Sequence, residues 1–254
     1  MKSRLHTLAA LVLGIAASTA HAGPTSTVAY AAISGSTVTF SELADGTIDG
    51  LLTSGGVQFG ERFDGQELAV VKAPRPGEVA QDWFDSLSFG APTAGLTLMA
   101  GAAGANLGVY DYGDADGTAL FGAGPLAGDA DGFGAISARF AAPVSALGFQ
   151  LRDVDGGVVT LRLYRTDGSL IEALDLGGVV DPNGGTDFLY GFARTGGTAD
   201  IAGFSLTNQD SYYGVSLDNL RLANGVAAVP EPGSVALMLA GLAALGVARR
   251  GRVR

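Results

Sequence analysis

The chain has 254 residues, 47% of them hydrophobic, with 40 glycines, no cysteine and a formal net charge of −10. Its only two histidines, His6 and His21, lie within the first 22 residues, so the rest has neither imidazole nor thiol. This excludes Ser-His-Asp and Cys-His nucleophile systems and the usual zinc sites there, and leaves a carboxylate pair as the available catalytic chemistry.

Met1–Ala22 reads as a secretory signal peptide. Lys2 and Arg4, with His6, form a charged n-region, and Leu8–Ala17 is the apolar h-region. Ala20-His21-Ala22 is an A-x-A cleavage site, which predicts a mature start at Gly23 after passage through Sec-type export machinery. Residues 23–228 then supply 206 positions, enough for one well-buried domain. They hold nine basic and 24 acidic residues, a net −15, which disfavours nucleic acid and anionic lipid as partners. Cation binding and plain solubility both remain compatible with that charge.

Within this core, short apolar alternating runs are separated by Gly, Asp and Asn turns, the pattern of an all-β sandwich or barrel. The expected strands are Thr37–Phe40, Val57–Phe59, Leu68–Val71 and Leu96–Met99, with the proline-marked loop Ala73–Gly77 among them. Tyr110–Gly134, rich in Asp and Gly, reads as a long irregular loop. Ala135–Phe140 and Ala146–Arg152 alternate, and Val158–Arg165 does so most clearly. Thr166-Asp167-Gly168-Ser169 is a hairpin turn leading into Leu170–Leu176. Phe188–Ala193, Ile201–Thr207 and Val215–Leu222 complete the set, the last with Val215, Leu217 and, after a shift at Asp218-Asn219, Leu220 and Leu222 as apolar anchors.

The tail follows. Val229-Pro230-Glu231-Pro232 is extended by its prolines, and Ser234 offers a helix N-cap. Residues 233–248 are uncharged and apolar or small. These 16 residues make about 24 Å of helix, short against a bilayer core of about 30 Å. Arg249, Arg250, Arg252 and Arg254 follow, and the positive-inside rule puts that end in the cytoplasm and the bulk of the chain outside. A proline-glutamate-proline motif, an apolar helix and an arginine cluster in that order resemble the PEP-CTERM sorting signal of Gram-negative bacteria. Tails of this family are also labelled ice-binding-protein C-terminal domains. The resemblance covers about a tenth of the chain. It implies recognition by an exosortase-like membrane protease, anchoring until cleavage near Pro230–Pro232, and delivery to the envelope or an extracellular matrix.

A second resemblance covers shorter strings. Thr37-Val38-Thr39-Phe40-Ser41-Glu42-Leu43, Asp45-Gly46-Thr47 and Gly56-Val57-Gln58-Phe59 are similar to the opening of secreted jelly-roll domains. Gly214–Leu220 is similar to their closing strand. This implies a lectin-like β-sandwich with its first and last strands side by side, which would let Glu42 and Asp218 approach. Two carboxylates with backbone carbonyls suit Ca²⁺, against the plainer reading that Asp218 bonds backbone amides and Glu42 is solvated. Three Asp-x-Asp-Gly tetrapeptides begin at Asp114, Asp129 and Asp153. None has EF-hand spacing, so they read as turns, with a loop calcium site from Asp111, Asp114 and Asp116 as the alternative.

Trp83, between Asp82 and Asp85, and the pair Tyr212-Tyr213 are candidate platforms for sugar rings, or else core packing. Tyr110 and Tyr112 flank Asp111 in the same manner. The chain thus reads as an exported, non-enzymatic structural or adhesive β-sandwich with carbohydrate or calcium binding. The alternatives are a glycan-active enzyme using Asp82 or Asp85 with a loop Asp, and an inert matrix filler.

Overall fold

The computed structural model describes residues 24–72, 83–113, 117–124, 132–154, 158–176, 186–208 and 214–224. Eighteen strands occur among them. The first nine are β1 (Thr25–Thr27), β2 (Ser36–Val38), β3 (Gly46–Ile48), β4 (Leu52–Ser54), β5 (Val57–Gly60), β6 (Arg62–Phe63), β7 (Glu67–Lys72), β8 (Trp83–Phe89) and β9 (Leu98–Met99). The rest are β10 (Leu107–Asp111), β11 (Thr118–Gly122), β12 (Ile136–Val144), β13 (Ala146–Val154), β14 (Val159–Tyr164), β15 (Leu170–Asp175), β16 (Thr186–Arg194), β17 (Ile201–Asn208) and β18 (Ser216–Ala223). Among the described residues no helix is long and apolar enough to cross a membrane. The expected signal peptide and span 233–248 lie outside them.

The strands form two antiparallel sheets. One has the order β1-β16-β13-β18-β11-β10-β3, with β2 beside the lower half of β18. The other has the order β15-β14-β17-β12-β5-β4. Alternation decides which side chains they trap. Leu147, Phe149 and Leu151 of β13 meet Leu161 and Leu163 of β14 and Phe204 and Leu206 of β17 in one core. Phe149 stacks on Phe204 with centroids 6.3 Å apart, and Phe140 meets Phe204 edge-on at 6.0 Å. One open side is stitched where the backbone N–H and hydroxyl of Thr25 both donate to Glu172 of β15. On the other the chain itself crosses from β3 to β4, linking the two edge strands. Two short ribbons, β6-β9 and β7-β8, lie outside the main sheets.

The expected first-to-last adjacency is present, because Val38 pairs with Leu220. The shift at Asp218-Asn219 is a β-bulge. Gly148 pairs with Arg221 but Gln150 with Asp218, and Asn219 adopts φ 48°. The Asp-Gly hairpin is present too, with Gly168 at φ 84° taking the left-handed position. One expectation is overturned. Tyr110–Gly134 is not a continuous loop, since it contains the end of β10 and all of β11, whose Ala119 and Leu120 are fully buried between β10 and β18. A strand covered on both faces shows no alternation, and the surrounding Asp and Gly mask it. Strand boundaries shrink elsewhere: Phe40 and Leu96 leave the extended region at φ 55° and 52°. Ala73–Gly77 lies outside the described residues.

Candidate functional site

The outward face of the larger sheet would ordinarily be wet. Here it holds a buried polar layer. β13 sends Leu147, Phe149 and Leu151 inward, so Gly148, Gln150 and Arg152 face out. The bulge puts Asp218 on the same outer side while Leu217 and Leu220 stay in the core. Arg152 and Asp218, diagonal neighbours across β13 and β18, place Nη1 3.7 Å from Oδ2 with side-chain exposures of 3% and 0%. Asp218 also accepts the Asn219 backbone N–H at 2.6 Å and the Asn219 side-chain amide at 3.2 Å. That amide reaches Gln150 Oε1 at 2.7 Å as well.

Two segments cover this layer. From the β10–β11 connection, the Tyr112 ring lies under the Arg152 guanidinium at 4.0 Å, and its hydroxyl meets Ser216 Oγ at 2.7 Å. From the start of the chain, a strap over Val28–Ile33 crosses β13 and β16. Tyr30 donates its hydroxyl to the Asn219 carbonyl at 2.7 Å and carries Arg221 over its ring at 4.1 Å. The strap fits because Gly148 and Gly191 have no side chain. A Cβ would stand 2.7 Å from Ile33 Cδ1 at the first and 2.6 Å from the Val28 carbonyl at the second. The closed layer suits locking strands in register better than turning over a substrate.

A second buried ionic group lies where the β7-β8 ribbon meets the smaller sheet. Asp85 of β8 donates its N–H to the Phe133 carbonyl at 3.0 Å. Glu61 donates its N–H to Met99, accepts Ser137 Oγ at its carbonyl, and packs its carboxylate over Gly101. Both are nearly buried, Asp85 at 5% and Glu61 at 8% exposure. Desolvation, reinforced by the Glu61 charge, pushes Asp85 up to about 7 against the opposing Ala135 amide and Arg62. Desolvation also raises Glu61, although Arg62 pairs with it. Two buried carboxylates thus stand in each other's field, and Asp85 is the one pushed toward neutrality.

The sequence-derived candidates fall as follows. Glu42, on an exposed turn, accepts a hydrogen bond from Ser54 Oγ, whereas Asp218 is buried against Arg152, so the two take separate partners. Asp111 ends β10. Its N–H donates to Asp45 Oδ1 at 2.6 Å, and its own Oδ1 accepts the Gly113 N–H at 2.8 Å. No group of three Asp, Glu, His or Cys among the described residues is arranged to hold a metal ion. Trp83 is half-buried opposite Lys72. Ala20, Ala22, Asp82, Asp114, Asp116, Tyr212, Tyr213 and Val229–Pro232 lie outside the described residues. Tyr110 is an exposed aromatic, at 53%, with its ring edge-on to Tyr112 at 5.0 Å. Sequence reasoning missed Glu61 and Arg152. The available signal was a charge set inside an otherwise apolar strand pattern.

Residues 228–253 match the PEP-CTERM protein-sorting motif. The motif implies an exported protein, sorted at the membrane of a Gram-negative bacterium and processed by an exosortase-type protease. No curated protein matches the chain.

Proposed function

We propose that this chain is an exported envelope or extracellular-matrix protein whose sandwich is non-enzymatic and serves a structural or adhesive role. The reading divides it into a signal peptide (1–22), a sandwich domain (23–228) and a sorting signal (229–254) with one membrane-spanning helix. Adjacency of β2 and β18 supports a jelly-roll or lectin-like topology for the domain. The observation that carries the reading is the sorting motif, which begins at residue 228, shortly after the last strand ends at Ala223. Extracellular polysaccharide is the partner we assign, with the exposed Tyr110 ring and the neighbouring Asp45 and Asp111 carboxylates as its contact.

Expressing the full chain with and without an exosortase, and measuring the mass of its C-terminus in each fraction, tests the sorting. A shortened product released from the membrane is expected only with the protease. Tyr110→Ala should reduce retention on the host's polysaccharide without altering the melting temperature, and unchanged retention removes that contact. One observation favours a second reading, a glycan-active enzyme: the Glu61–Asp85 pair, one member of which titrates near 7. Burial of both carboxylates opposes it.

A further inference from the structure

Where the short ribbons pack on the outer face of the smaller sheet, a hydroxyl is brought to a carboxamide away from water. Phe204 and Leu206 of β17 face the core, so Ser205 points outward. It pairs with Ser137 of β12 on one side and with Arg162 of β14 on the other, two residues from Tyr164. The tight turn between β6 and β7 lays Gln66 over them, with the Gln66 N–H donating to the Phe63 carbonyl at 3.1 Å and Gly65 at φ 87°. Gln66, Tyr164, Ser137 and Ser205 are all buried, at 5%, 4%, 0% and 0% exposure. The Phe63 N–H donates to Gln66 Oε1 at 3.0 Å, so an amide polarises this carbonyl and is placed to hold its oxygen as it turns negative. Ser205 Oγ lies 3.5 Å from the same oxygen, which is one bond from the carbonyl carbon. Ser137 Oγ holds Ser205 Oγ at 2.9 Å and itself donates to the Glu61 carbonyl at 3.1 Å. Gln66 Nε2 donates to Tyr164 Oη at 2.8 Å, and Ser205 is a further hydrogen-bond partner of that hydroxyl.

We propose that Ser205 and Gln66 join in an internal ester. Ser205 Oγ adds to Gln66 Cδ, with the charge that builds on Oε1 facing the Phe63 N–H. The nitrogen becomes basic once the carbon is tetrahedral. It takes the proton of Tyr164 Oη while Tyr164 takes that of Ser205. The Cδ–Nε2 bond then breaks, ammonia leaves, and the Oγ–Cδ bond remains. One hydroxyl and one carboxamide give one ester and one ammonia, with no oxidant or added reagent. Fixed approach of the reacting groups supplies the acceleration. Burial pushes the Tyr164 hydroxyl up, so it hands protons on without resting as the phenolate. Burial also keeps water from the ester, and escape of ammonia into bulk solvent draws the reaction forward. The step occurs once per chain and needs no ligand, so it is independent of what the domain binds. It also supplies something the composition withholds. With no cysteine, the chain cannot form the disulfides that an oxidising compartment permits. An ester between residues 139 apart in sequence ties the root of the ribbons to the smaller sheet by a bond indifferent to redox poise.

The test is to express the full chain, let it fold, denature it and measure its intact mass. The expected mass is lower by one ammonia than the sequence of the chain recovered. Trypsin should then release the peptide Phe63–Lys72 joined to Thr195–Arg221, and hydroxylamine should separate the two. The full sequence mass with two separate peptides overturns the proposal whatever the variants do. So does an ammonia loss that maps to an Asn-Gly pair, or one that persists in Ser205→Ala. Tyr164→Phe keeps the ring edge-on to Phe63 and removes the proton carrier. Followed by mass after refolding, it should form the link at least about a hundredfold more slowly. A link formed at the parental rate in that variant overturns the relay through Tyr164.

Discussion

Asp218 and Asp85 are both carboxylates removed from water, and they are treated in opposite ways. Asp218 faces a guanidinium at 3.7 Å and the Asn219 amides. Asp85 is desolvated in the field of a second carboxylate, Glu61, with the Ala135 amide and the Arg62 charge opposing. Burial raises Asp85, whereas Asp218 is buried against a guanidinium. Where β13 and β18 must stay in register around a bulge, an opposite charge is supplied. Where the β7-β8 ribbon docks on the sandwich, burial raises Asp85 and the Glu61 charge adds to it, so the joint is sensitive to protons.

The largest test removes the cation. Arg152→Met should destabilise the fold by about 3–5 kcal/mol, because Asp218 loses the guanidinium facing it inside the protein. Urea denaturation reads this, and a loss below about 1 kcal/mol would mean the two sites are not different in kind. The next test addresses the like-charged site. Asp85 has a folded value near 7, above its unfolded value, so the folded state holds the proton more tightly. Its contribution is complete below about pH 4, is lost as pH rises to about 7, and stays lost above. Asp85→Asn should flatten that slope and stabilise the chain at pH 8 by at most about 4 kcal/mol. A variant that melts with the parental pH profile would detach Asp85 from the effect.

Smaller again, Tyr112→Phe keeps the ring under Arg152 but deletes the hydrogen bond to Ser216. It should cost about 1 kcal/mol. A cost near zero would show that the ring alone closes the layer. The smallest expected effect concerns calcium. Because Asp218 is already occupied by Arg152 and Asn219, millimolar Ca²⁺ should shift the melting temperature of Asp218→Asn no differently from the parent. A shift confined to the parent would return Asp218 to a metal role.

The sequence made the regular parts of the smaller sheet readable. The alternation of Val159, Leu161 and Leu163 against Thr160 and Arg162 is the alternation of buried and half-buried positions in β14. The break at Asp218-Asn219 was legible because two apolar residues three apart in a strand demand an extra residue between them. β11 was not legible, since Thr118-Ala119-Leu120-Phe121-Gly122 is short and covered on both faces. Neither ionic site was legible as a pair. Arg152 and Asp218 lie on strands far apart in the chain, and Glu61 meets Asp85 only through the docking of a ribbon. Charge complementarity across such distances exists in the folded chain and nowhere in local sequence.

The strap bears on the order in which this protein can assemble. Tyr30 leaves the ribosome early, yet its hydroxyl partner, the Asn219 carbonyl, lies 189 residues later. β1 likewise awaits β16, and β2 awaits β18. Contacts this remote in sequence close slowly and late. A growing chain whose opening segments have nothing yet to grip stays extended and able to thread a narrow channel. The last described strand to emerge, β18, then slots between β13 and β11 and completes the larger sheet, ahead of the sorting tail.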